Sequence, residues 1–160
     1  MDIQKLESIQ DLDQKAIHDF KAGLIDLATL DRINAEHKAF LLEMIAAFGF
    51  PFKDVSSPKA YEAAFLIIQH ACDQALLERA IGIFSTATSD QIERRHLGYF
   101  VDRLRILRGL PQVYGTQYRV LSDKTVEFFP IENPDAVDAR RAELGMGTIA
   151  EYRKYAESPV

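Results

Sequence analysis

The sequence predicts a mainly α protein of the α+β class, a helical bundle carrying one small antiparallel β-hairpin. Three observations lead there. Before Gly109 five successive segments read as helices, four with apolar residues recurring at steps of three and four and one, KAYEAAFLIIQHA, apolar nearly all round. The period changes to two only in YGTQYRVL and TVEFFPI, too few strands for a parallel α/β fold. The 160 residues are 48% hydrophobic and 27% charged with 8 Gly and 6 Pro, a composition that belongs to globular proteins and supports a domain-sized core.

The first helix spans residues 2–22, where Ile3, Leu6, Ile9, Leu12, Ala16, Ile17 and Phe20 form the stripe and Gly23 the stop. A second runs from Asp26 to about Phe48 on the stripe Leu30, Ile33, His37, Phe40, Leu41, Met44 and Phe48, before Gly49 and Pro51. These two form a helical hairpin, residues 1–48, read as an arm packed on a motif-bearing α+β domain, residues 49–160. Ser57 before Pro58 reads as an N-cap with proline at the first helical position. The helix that follows, KAYEAAFLIIQHA, is apolar around nearly its whole circumference, which predicts a buried central helix with Gln69 and His70 in its last turn. A further helix covers Asp73 to Ser85. Thr88 and Gln91 read as a capping box opening the next helix, to about Arg108, which Gly109 and Pro111 end. The two strand-like runs follow, separated by Ser122, Asp123 and Lys124. Asn133 and Pro134 restart a helix through Leu144, and Thr148 with Glu151 caps a final one to about Ala156.

Composition also narrows function. A single cysteine, Cys72, excludes an internal disulfide framework and a multi-cysteine zinc site. The formal charge of −5 argues against nucleic acid as a partner, since counterion release needs clustered Lys and Arg. The least charged stretch, AYEAAFLIIQHACDQALL, is too polar for a membrane span, and MDIQKLESIQDLDQK has no signal-like apolar run, so the expectation is a cytoplasmic protein without membrane partners. His18, His37 and His96 have no companion at i+4, no HExxH occurs, and no Walker, GxSxG or dinucleotide fingerprint is present. No metal and no cofactor is expected.

The segment GLPQVYGTQY concentrates groups able to make directional hydrogen bonds: Gln112, Tyr114, Thr116 and Gln117, with Gly115 allowing close approach. Read as a strand, it places Tyr114 and Thr116 on one face and Gly115 and Gln117 on the other, where a gap beside an amide suits a planar or carboxylate-bearing ligand. The structural alternative is a hairpin entry whose amides satisfy neighbouring backbone. His70 closes a buried helix and is the best candidate for an acid or base, against the alternative of a satisfied core histidine. Asp102 lies off its helix's apolar stripe and orients His70, binds a cationic group, or pairs with Arg105 at i+3. Arg141 shares a face with Val137 and Leu144, so its guanidinium needs a partner: Asp102, Asp73 or a ligand anion. Cys72 reads as an inert thiol unless something lowers its pKa.

The order QHA (Gln69–Ala71), DR (Asp102, Arg103), Gly109 with PQVYGTQ (Pro111–Gln117), Pro130 to Pro134, RRAELG (Arg140–Gly145) and Tyr152 resembles a family of uncharacterised, mainly bacterial domains of unknown function. The resemblance covers roughly Gly49 to Tyr155 and leaves the N-terminal hairpin outside. It implies that His70, Asp102, Arg103, Gln112, Tyr114, Gly115, Thr116, Gln117 and Arg141 form one constellation, and it supplies no reaction. Cys72 with Asp73, and Leu77, stand where the family pattern has an acid and a glutamine.

Two functions fit. In the first, an enzyme acts on a small polar or anionic molecule by hydrolysis or another proton transfer, with His70, Asp102 and Tyr114 catalytic. Arg103, Gln112, Gly115, Thr116, Gln117 and Arg141 then hold the substrate. In the second, a binding or interaction module uses the same groups as a buried structural network, and the N-terminal helices form a partner or homodimer surface.

Overall fold

Local capping chemistry sets most of the helix starts. The computed structural model describes residues 2–121 and 125–157. Helix α1 (Ile3–Lys21) begins at Asp2, whose side chain accepts from Lys5 N, and α2 (Leu27–Phe48) begins at Asp26, which accepts from Thr29 N. Helix α3 (Pro58–His70) opens as the sequence predicts, with Ser57 accepting from Ala60 N and proline at the first helical position. Then follow α4 (Gln74–Thr86), α5 (Arg94–Leu107), strands β1 (Tyr118–Val120) and β2 (Val126–Phe128), a 3-10 turn (Pro134–Ala136) leading into α6 (Val137–Glu143), and α7 (Ile149–Glu157). The described residues thus give seven α-helices and one two-stranded antiparallel sheet, the mainly α fold with a small hairpin that the periodicities predict. The turn assigned to Ser122, Asp123 and Lys124 lies outside the described residues.

Two compact units divide the chain. The first contains α1, α2 and α3, through Asp73, together with Asp90–Ile92. Leu6 and Ile9 of α1, Leu30, Leu41 and Met44 of α2, and Ile67 and Ile68 of α3 make its core. Ala60, Ala63 and Ala64 are fully buried on α3, small residues that let neighbouring helices approach, so α3 is the buried helix its composition predicts.

The second unit holds Gln74–Ser89 and the chain from Glu93 onward. Helices α4 and α5 pack through Phe84 and Phe100, whose rings meet edge to face with centroids 5.1 Å apart. Strand β1 pairs with β2 in the register Tyr118 to Phe128 and Val120 to Val126. Tyr152 of α7 packs edge-on against both Tyr118 and Phe128, which ties the hairpin to the last helix.

Two expectations need correction. The capping box of Thr88 and Gln91 does not start α5, which begins at Arg94 after a turn. The Gln91 carbonyl instead accepts Lys53 N at 2.9 Å, the Ile92 carbonyl accepts Lys53 Nζ at 3.3 Å, and buried Ile92 anchors the segment. The strands are also shorter than the alternation predicts, because residues 114–117 belong to a loop around a buried carboxylate. The Thr148 and Glu151 box does form, with Thr148 N and Oγ1 donating to Glu151 Oε2 at 2.7 and 2.9 Å.

Candidate functional site

The residues singled out in the sequence fall into two clusters, one in each unit. In the second unit Asp102 projects from α5 and is 0% exposed. Its Oδ1 accepts Val113 N at 2.7 Å and Tyr114 N at 3.0 Å; its Oδ2 accepts Thr116 N and Thr116 Oγ1, both at 2.9 Å. A buried carboxylate thus serves as the hub of the 113–116 loop, whose N–H groups have no strand to pair with. Burial pushes the Asp102 carboxyl above its ordinary value, against the opposing pull of the Thr116, Tyr114 and Val113 hydrogen bonds.

Gln112 continues the network and is likewise 0% exposed. Its Nε2 donates to the carbonyls of Gln117 and Phe129 at 2.9 and 2.8 Å, and its backbone N–H donates to the Pro130 carbonyl at 2.8 Å. Thr116 Oγ1 accepts from Gln117 Nε2 at 2.9 Å, and the Thr116 carbonyl accepts Tyr152 Oη at 3.0 Å. Arg141, 4% exposed, donates from Nε to the Gly147 carbonyl at 2.6 Å and from Nη1 to the Tyr114 carbonyl at 2.7 Å. Its guanidinium lies 5.1 Å from the Tyr152 ring centre, and burial holds its pKa below the ordinary arginine value. Arg140 adds bonds to the carbonyls of Val113, Glu132 and Asn133.

These contacts revise the roles expected of the segment. Asp102 neither orients His70 nor pairs with Arg105, since its oxygens are taken by the loop, while Arg105 engages Glu132 and the Pro111 carbonyl. Arg141 is satisfied by carbonyl dipoles and a ring face, so it is a brace and not an anion clamp. Gly115 leaves no gap for a ligand: at φ +68° its missing Cβ would lie 2.7 Å from Ile149 Cδ1 and 2.8 Å from Ile131 Cδ1. The Tyr114 hydroxyl is half-buried, and burial, then the Asp102 and Glu143 charges, raise its pKa above the ordinary tyrosine value. That makes it a poor acid or base at neutral pH. Arg103 lies partly buried on α5.

His70 belongs to the first unit, where it makes a different pair. Its Nδ1 lies 2.9 and 3.0 Å from the two oxygens of Asp13, a residue of α1 that is 2% exposed. Gln14 Nε2 donates to Asp13 Oδ2 at 3.0 Å. An ionised carboxylate accepts only, so the proton of a neutral ring sits on Nδ1 and the lone pair on Nε2. The ring is 21% exposed, and Nε2 has no protein hydrogen-bond partner among the described residues. At the same end of α3, Lys38 Nζ pairs with Asp73 at 3.1 Å, both partly exposed. Among the described residues, no three His, Cys, Asp or Glu side chains gather as metal ligands would.

Asp13 is the residue the sequence reading missed. Its signal is phase: Leu6, Ile9, Asp13 and Ala16 are the buried row of α1, whereas Leu12, assigned to the stripe, is largely exposed. An acid in register with a buried apolar row needs a partner, and the histidine closing the buried helix supplies it.

A family model described as a family of unknown function (DUF6624) matches residues 9–159. The chain belongs to this family. The match reaches back through α2 and into α1, so the family extends beyond the Gly49 to Tyr155 stretch that carries the motif resemblance and includes Asp13. Comparison with curated proteins gives no match, and comparison with solved structures gives none.

Proposed function

We propose that this member of the family is a cofactor-independent enzyme that acts on a small polar or anionic substrate by acid–base chemistry, with hydrolysis as the reaction class. The observation that carries this reading is the Asp13–His70 pair, a buried carboxylate holding one ring nitrogen while the other is unbonded at a partly exposed ring. Asp13 is the positioning residue and His70 the proton acceptor and donor. Lys38, partly exposed and paired with Asp73 three residues beyond His70, offers a cation for an anionic group. The Asp102 and Gln112 network then acts as scaffold. We propose a bacterial cytosolic location, an environment in which an exposed thiol such as Cys72 stays reduced; among the described residues no helix is long and apolar enough to cross a membrane.

The test is a turnover screen of pooled small esters, amides and phosphate esters with wild type, His70→Gln and Asp13→Asn. Activity falls about 100-fold or more in His70→Gln, with the protein still folded by circular dichroism, and falls less in Asp13→Asn. Turnover that survives His70→Gln overturns the assignment.

A second reading, an interaction module or homodimer built on the N-terminal helices, draws on a separate observation. Leu24, Leu27 and Phe48, at the turn and far end of the α1–α2 hairpin, are strongly exposed apolar side chains. A concentration-dependent sedimentation coefficient that Leu24→Lys with Leu27→Lys abolishes supports it; a constant monomer mass removes it.

A further inference from the structure

His37 is a half-buried residue of α2 in helical phase with the buried Leu30, Leu41 and Met44, and its Nδ1 is buried without a hydrogen-bond partner. Buried polar atoms are nearly always paired, so an orphaned ring nitrogen in a packed unit calls for an explanation. Its charged surroundings are few. From α1 the facing group is Asp13, and on α2 itself the neighbour is Glu36. Both Asp13 oxygens already receive His70 Nδ1 from α3, and Oδ2 also receives Gln14 Nε2. Lys38, the next residue of α2, is committed to Asp73, and Lys5 of α1 lies 4.3 Å from the Phe40 ring centre, one turn further along.

We propose that His37 makes the three-helix unit acid-sensitive: a proton taken up by its ring turns Nδ1 into a charged donor with no open acceptor, and α2 loosens from α1 and α3, freeing the Asp13–His70 pair. The neutral ring is tolerated because it carries no charge into the core, whereas an imidazolium needs a carboxylate that His70 already occupies. Burial, the largest influence, holds the His37 ring below its ordinary value of 6.5, against the weaker pulls of Asp13 and Glu36. A group depressed on folding contributes its stability above its unfolded value. That contribution is therefore complete above pH 6.5 and is lost as the pH falls toward the folded value.

The experiment is urea unfolding of the full chain at pH 8, 7, 6 and 5 for wild type, His37→Phe and His37→Gln, with an imidazole ¹⁵N NMR titration of the wild type. Wild type loses stability relative to both variants between pH 7 and pH 5, by about tenfold in the folding equilibrium constant for each pKa unit of depression. Parallel pH profiles overturn the proposal. Should neither variant fold, the titration decides alone: a His37 midpoint below that of a free histidine supports it, and one at or above that value overturns it. Stability and ring titration are read without any turnover, so this outcome is independent of the acid–base reading.

Discussion

Gln112 treats the Gln117 backbone as a neighbouring strand would. Gln117 N donates to Gln112 Oε1 at 2.8 Å, and Gln112 Nε2 donates back to the Gln117 carbonyl at 2.9 Å. The same Nε2 reaches the Phe129 carbonyl, so one side-chain amide joins the loop to the chain just after β2.

Gln112→Glu keeps the shape and replaces the amide nitrogen by an oxygen facing two carbonyls. Both donated bonds disappear and a buried charge lacks a cation beside it. The expected loss is about 3 kcal/mol or more, read from urea midpoints at neutral pH. A loss under about 1 kcal/mol, with the m-value unchanged, would show that the amide is not a structural joint.

Gly115 offers a two-part test. Gly115→Ala meets both a positive φ and the methyls of Ile131 and Ile149, and costs about 2 to 4 kcal/mol. Ile149→Val removes the Cδ1 that lies nearest, so the alanine costs less in the Ile149→Val background than alone. The cost left after that relief belongs to Ile131 and to the backbone. Equal penalties in both backgrounds would assign the whole effect to them.

The start of α7 has a pH dependence with a definite sign. Hydrogen bonds from the Thr148 backbone and then its side chain hold the Glu151 carboxyl below its ordinary 4.5. The cap therefore contributes fully above pH 4.5, and its contribution fades as the pH falls through the lower folded value. In an NMR titration Glu151 has a midpoint below that of a free glutamate, and Thr148→Ala moves it back up. Because alanine keeps the backbone N–H, a midpoint unchanged by Thr148→Ala would refute the hydroxyl's share in the cap.

Helices were legible in this sequence because each requirement is local. The caps at Asp26, Ser57 and Thr148 and the apolar rows lie within a few residues of the elements they define. Residues 114–117 read as strand from the sequence because period-two alternation records side-chain chemistry, while the N–H groups of Tyr114 and Thr116 go to Asp102, a residue 12 to 14 positions away. The same distance hid the site. His70 was visible at the end of a buried helix, but its partner lies 57 residues earlier, on a helix whose apolar stripe was assigned one position out of phase at Leu12. Arg141 announced correctly that it needed partners; that they would be carbonyls and a tyrosine ring depended on the path of Tyr114 and Gly147.

The first unit is written in two separate stretches of sequence, and that governs how it can be cut. A fragment ending at Asp73 retains all three helices yet lacks Asp90–Ile92, and with them the carbonyls that take Lys53 N and Nζ. The connector between α2 and α3 would lose its tether, and the place of buried Ile92 would open to solvent. A fragment meant to isolate the Asp13–His70 pair therefore has to carry the chain past Ile92, or graft that short return segment onto the end of α3 through a designed linker.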